Sequence, residues 1–106
     1  HSLVYVKRHI QTISDIDPEE YASVFKLITK VSKALENRYS ARKTYLLVIG
    51  DGDKWQHLHF HLIPKHQNLP SMGVYAFQKL FDAEPNRKTP DAEKARVAGE
   101  LKAIIG

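Results

Sequence analysis

The amino-acid sequence predicts an α+β fold, an antiparallel β-sheet with one long helix packed on it and further helices toward the C-terminus. Three observations predict it. Residues 18–38 repeat apolar side chains at helical spacing. Two β-rich runs, 44–50 and 55–64, are separated only by a short turn sequence, which implies an antiparallel hairpin. The second run alternates in polarity with period two, as a strand with two unlike faces does.

The elements follow in order. "LVYVKR" (3–8) is rich in β-branched and aromatic residues and predicts a first strand. Asp17 then fits an N-cap, Pro18 the first helical position and Glu20 the carboxylate of a capping box, so a helix is expected over 18–38. Tyr21, Val24, Phe25, Ile28, Val31 and Leu35 form its apolar stripe, expected to face the core. "TYLLVIG" (44–50) reads as a strand buried on both faces, and "DGDK" (51–54) as a tight turn. The alternating third strand runs to Pro64. Beyond it, "VYAFQKLFDA" (74–83) predicts a short helix, with a polar connection over 84–91. A last helix is expected from Pro90 to about Ile105, capped by Thr89, with Val97, Leu101, Ile104 and Ile105 inward.

A chain of 106 residues fits a single domain, 1–106. There is no cysteine, which excludes disulfides and thiolate metal sites. No apolar run reaches the roughly 18 residues of a membrane span, and no leader pattern is visible. A cytoplasmic protein without membrane contact is expected. The chain opens on His1 in what reads as mid-strand, so an N-terminally shortened chain is expected too. Net charge is +4 and the isoelectric point about 9.4, which favours anionic partners. The cations are scattered over "KRH" (7–9), "NRYSARK" (37–43) and "NRKT" (86–89), so nucleic acid is not favoured. Lys7 and Arg8 alternate, so at most one of them points toward any one site.

The chemistry-bearing segment is "WQHLHFHLIPKH" (55–66). On a strand, His57, His59 and His61 share one face, roughly 6–7 Å apart, with Leu58, Phe60 and Leu62 on the other. Three readings compete. The row can be incidental. It can hold a metal, because imidazoles two positions apart on a strand can share one ion. A calcium loop beginning at "DGD" (51–53) lacks the later acidic ligands. Or the row can do phosphate chemistry, with one neutral imidazole as nucleophile and its neighbours as hydrogen-bonding or cationic groups.

"HLHFHLI" (57–63) resembles, at all seven positions, the alternating histidine signature of the histidine triad (HIT) superfamily. "HSLVYVKRHI" (1–10) is similar to the family's first matching strand through His1, Leu3, Val4, Lys7, His9 and Ile10. The resemblance covers about residues 1–66, which leaves 67–106 as a C-terminal extension. It implies a HIT-like antiparallel sheet with a long helix, in a homodimer. The implied activity is hydrolysis or transfer at the α-phosphate of a nucleotide or dinucleotide, through a nucleotidyl-histidine intermediate and without a cofactor. His59 would be the nucleophile, His57 would position it, His61 would contact phosphate, and His1 would be the fourth catalytic histidine. His9 would be structural. The same resemblance places Gly52, Lys54 and Gln56 at or near the phosphate-holding loop.

The sequence also departs from the family pattern. Val6 stands where proline is usual. Asp53 and Lys54 stand where the family carries glutamine and a hydroxyl, and 46–50 offers no counterpart of its phosphate-holding asparagine. A carboxylate at Asp53 beside a phosphate is unfavourable unless it faces away or Lys54 offsets it. The family's N-terminal helix and hairpin, which surround the nucleobase and ribose, precede the matched region. Two alternatives therefore accompany the hydrolase reading: a non-catalytic nucleotide-binding module of HIT-like fold, and a metal-dependent enzyme built on the histidine row.

Overall fold

The computed structural model describes residues 1–49, 56–65 and 90–105. Three strands, β1 (Ser2–Tyr5), β2 (Thr44–Leu47) and β3 (His59–Pro64), form an antiparallel sheet in the order β1-β3-β2. Two helices, α1 (Pro18–Tyr39) and α2 (Asp91–Ile105), complete the described fold, with a single 3-10 turn at Ile13–Asp15 before α1. The α+β architecture is as the sequence predicts. Among the described residues, no helix is long and apolar enough to cross a membrane.

β3 occupies the centre because it is apolar on both sides of its ladder. Leu62 and Ile63 are almost wholly buried, and Leu58 and Phe60 nearly so. Leu58, Phe60 and Leu62 join Val4 in the core under α1, as alternation predicts. The pairing of β2 with β3 is the expected antiparallel one, with Leu47 opposite His61 and Tyr45 opposite Ile63. The expected turn at 51–54 and the expected helix at 74–83 lie outside the described residues.

Strand lengths differ from the sequence expectation. β1 ends at Tyr5 rather than Arg8, because the chain bends at Lys7 and Arg8 toward the start of α1. β2 ends at Leu47 rather than Gly50 among the described residues. β3 starts at His59, so His57 and Leu58 precede the strand; Leu58 N–H donates instead to Ile10 carbonyl at 2.7 Å.

α1 begins where its capping residues place it. Asp17 is the N-cap and Pro18 opens the helix. Asp17 N–H donates to Glu20 Oε1 at 3.1 Å, one arm of a capping box. Val24, Ile28, Val31, Ala34 and Leu35 form its buried face. Tyr21 and Phe25, expected inward, are instead 47% and 50% exposed. They lie on the shoulder of the stripe, where Phe25 still turns its ring edge to Phe60, with centroids 6.3 Å apart. α1 ends at Ser40, whose backbone is left-handed (φ 52°), with Ala41 N–H returning to Glu36 carbonyl. That conformation favours glycine, since a Cβ crowds the following carbonyl.

α2 lies against α1. Leu101 is buried, with Val97 and Ile105 packed beside it, but Ile104, also expected inward, is 52% exposed. Arg38 Nε reaches across from α1 to Glu100 Oε2 at 3.0 Å. Arg96 links Glu93 and Glu100 along α2 itself.

Ser40→Gly is expected to raise stability by about 0.5–1 kcal/mol in urea unfolding, by relieving the left-handed serine. Leu35→Ala is expected to cost about 2–5 kcal/mol, whereas Ile104→Ala costs less than about 0.5 kcal/mol. Equal losses for the two in the same unfolding series would contradict the packing described for α2.

Candidate active site

The face of the sheet turned away from α1 carries the histidines. In the β1–β3 ladder, Leu3 lies opposite His61 and Tyr5 opposite His59. Directly paired residues project to the same side, so Leu3, Tyr5, His59, His61 and Leu47 share this face. His59 is only 8% exposed, whereas His57 and His61 are partly buried and His1 is open to solvent.

The imidazoles form a continuous run. The rings of His59 and His61 meet edge to face with centroids 4.8 Å apart, and those of His61 and His1 are 5.1 Å apart. His1 Nε2 and His61 Nδ1 are hydrogen-bonded at 2.8 Å, with one ring donating to the other. His57 joins the run through its backbone, because His59 Nδ1 donates to the His57 carbonyl at 2.8 Å. The His57 ring is held in turn by the Val6 carbonyl at 2.5 Å from its Nε2, and by the ring edges of Tyr5 and His9. His1, His57, His59 and His61, the four expected catalytic residues, are thus assembled, and His9 joins them as a neighbour of His57.

These contacts set the tautomers. A carbonyl oxygen only accepts, so the proton on His57 sits on Nε2 and that on His59 sits on Nδ1. When His59 is neutral, its lone pair is therefore on Nε2, the nitrogen distal to the backbone. A buried imidazole with a fixed proton at one nitrogen and a lone pair at the other is built for nucleophilic attack or general base action.

Beside His59 lies a cleft of 290 Å³, walled by Gln11, Thr12, Ile13, Val48, Ile49 and Leu58. Gln56, expected near phosphate, is exposed and accepts a hydrogen bond from Gln11 at 3.4 Å, next to this cleft. Gly52 and Lys54, the other two expected phosphate contacts, lie outside the described residues, as does Asp53. Arg8 is turned to α1, where its guanidinium pairs with Glu20. Among the described residues, no group of three or more histidine and carboxylate side chains is arranged to hold a metal ion.

Sequence reasoning singles out His9 and one of Lys7 and Arg8 in the segment 6–13, but does not anticipate its backbone carbonyls or its cleft wall. The segment supplies the Val6 carbonyl to His57, the Ile10 carbonyl to Leu58 and three residues of the cleft wall. Two of those contributions are backbone carbonyls, which leave no trace in residue identity. The sequence pattern places Val48 and Ile49 on a strand and gives no sign of their place in the cleft wall.

The family model described as "HIT domain" matches residues 1–68. A nitrilase and fragile histidine triad fusion protein from Caenorhabditis elegans is 29% identical over 89% of this chain and 22% of its own length. An adenosine 5'-monophosphoramidase, HNT1, from Candida albicans is 34% identical over 70% of this chain and 53% of its own. The chain thus spans from about a fifth to about half of the curated relatives it matches. In structure, a Hit-like protein involved in cell-cycle regulation from Bartonella henselae superposes with a TM-score of 0.71. At 23% identity, over 96% of this chain and 68% of that one, that likeness supports the fold.

Ring nitrogen NMR at a pH where the imidazoles are neutral is expected to show opposite tautomers, Nε2–H for His57 and Nδ1–H for His59. Finding the same tautomer in both rings would overturn the hydrogen-bond assignment.

Proposed function

The chain belongs to the HIT domain family, and on that premise we propose that it is a nucleotide hydrolase or transferase working at an α-phosphate through a nucleotidyl-histidine on His59. The observation that carries the reading is the bond from His59 Nδ1 to the His57 carbonyl, which directs the ring's lone pair to Nε2. In the first step, Nε2 bonds to the α-phosphorus, and the leaving group departs with the electron pair of its broken bond and takes up a proton from solvent where it is an amine. The ring then carries positive charge, which the His57 carbonyl dipole stabilises at Nδ1–H. In the second step, water attacks the same phosphorus and gives up a proton to solvent, and the P–N bond breaks with its electron pair returning to Nε2 as the neutral imidazole.

The neighbours have separate tasks in this scheme. His57, pinned by Val6 carbonyl, positions the His59 ring through its own backbone. His61 and His1 hold one proton between their facing nitrogens, which leaves the pair, when neutral, one N–H to donate to a phosphate oxygen. The partly apolar cleft beside His59 suits a nucleobase or ribose, with Gln56 next to it through Gln11; the family resemblance assigns Gln56, Lys54 and Gly52 to phosphate binding. The activity named for the Candida relative, adenosine 5'-monophosphoramidase, favours an adenosine phosphoramidate among the substrates, with dinucleoside polyphosphates as the second class. A homodimer and a cytoplasmic setting belong to the same proposal. Half-exposed Tyr21 and Phe25, on one shoulder of α1, offer apolar surface for a second copy.

Asp53 and Lys54, at the family's glutamine and hydroxyl positions, motivate a second reading: a module that binds nucleotides without turning them over. Incubation with an adenosine phosphoramidate and with a dinucleoside polyphosphate separates the two. The expected result is turnover that falls by about three orders of magnitude or more in His59→Ala. Calorimetric binding of AMP with no turnover of either substrate would establish the second reading instead.

A further inference from the structure

We propose that Arg8 is a positioning residue for this site: its guanidinium fastens the 6–13 segment to the first turn of α1 and so fixes His57 and the cleft wall beside His59. The inference rests on the reading of His59 as the nucleophile.

The contacts converge on one side chain. Arg8 Nη2 donates to Glu20 Oε1 at 2.6 Å and Nε donates to Glu20 Oε2 at 3.1 Å, a two-pronged grip on the carboxylate. The same Nη2 donates to the Asp15 carbonyl at 2.8 Å, and Asp17 lies 3.6 Å away. Arg8 therefore ties the exit from β1 to both the 3-10 turn and α1. Two residues before it is Val6, whose carbonyl holds the His57 ring, and two residues after it is Ile10, whose carbonyl holds Leu58 N–H. Gln11, Thr12 and Ile13, which wall the cleft, sit between the two points that Arg8 joins.

The ordinary account of such a contact is a surface ion pair, and Arg8 is about half exposed. Exposed pairs contribute little to overall stability. Placing a segment demands less energy than stabilising a fold, but it demands defined geometry, which a planar fork with a third donor supplies and an ammonium does not. Glu20 is well placed as the anchor, because its other tie, to Asp17 N–H, makes it part of the helix start. The hydrogen bonds from Arg8 and from the Asp17 backbone also hold the Glu20 carboxyl below the usual range for a glutamate. Its charged form is thus favoured above that range and lost only as pH falls through the lowered value. The clamp accordingly stays closed across the range in which imidazoles titrate.

The test compares full-length wild type with Arg8→Ala, Arg8→Lys and Arg96→Ala, using an adenosine phosphoramidate as substrate. Arg96 makes comparable exposed ion pairs on α2, so it reports the general cost of losing one. Arg8→Ala is expected to lower kcat/KM by about tenfold to a hundredfold, with KM raised through the cleft wall and kcat lowered through His57 and His59. Arg8→Lys is expected to recover part of the loss, and Arg96→Ala to stay within about twofold of wild type. Ring nitrogen NMR supplies a readout that does not need turnover: Arg8→Ala should shift or broaden the His57 Nε2–H signal, and Arg96→Ala should not. An active wild type with Arg8→Ala kinetics and His57 signals unchanged overturns the proposal. An inactive wild type sinks the hydrolase reading instead, and the His57 signal then decides the role of Arg8 by itself.

Discussion

The packing of Leu58, Phe60 and Leu62 beneath α1 is the constraint on which the rest depends. Those side chains hold one face of the central segment in a close-packed core. A one-residue slip of β3 would send its apolar side chains to the wrong face, so the register against β1 and β2 is strongly specified. Register in turn places Tyr5 across from His59 and Leu3 across from His61. The apolar anchor behind the strand thus determines which groups stand beside the imidazoles in front of it.

A second layer of order comes from the backbone. His59 and His61 inherit their positions from the pleat, but His57 precedes the strand and is held by other means. Its ring donates to the Val6 carbonyl, its own carbonyl accepts from His59, and Leu58 beside it donates to Ile10. The segment after β1 therefore closes over the start of β3 and replaces the ladder that ends there. Fixing a ring through fixed carbonyls orients its lone pair in advance, which in the proposed mechanism leaves little reorganisation for the moment of reaction.

The charged network follows the same division of labour. Arg8 with Glu20, and Arg38 with Glu100 and Arg96, sit at element junctions rather than in the core. Each adds a charged tie to parts that apolar packing already brings together: the loop after β1, with Val6 and Ile10 in the core, to α1 in one case, and α2, through Leu101, to α1 in the other. Glu100 is held below the ordinary glutamate range chiefly by its hydrogen bond to Arg38, so both junctions stay charged at neutral pH.

The sequence by itself determined the helix start, the core face of β3 and the row of imidazoles. Asp17, Pro18 and Glu20 act within one turn, and the alternation from Leu58 to Leu62 acts over a few consecutive residues, so both are written in local spacing. The apolar stripe of a helix is legible in the same way, but how much of it becomes covered is not. Tyr21, Phe25 and Ile104 fit the pattern and still stay half exposed, because cover depends on where a partner element ends. Only the tertiary structure decided that β1 pairs with β3, that the 6–13 segment walls the cleft, and which nitrogen of His59 carries its lone pair. The last of these rests on the carbonyl groups of Val6 and His57, which every residue type possesses alike. Their placement comes from contacts between segments some fifty residues apart, where neither periodicity nor residue identity leaves a mark.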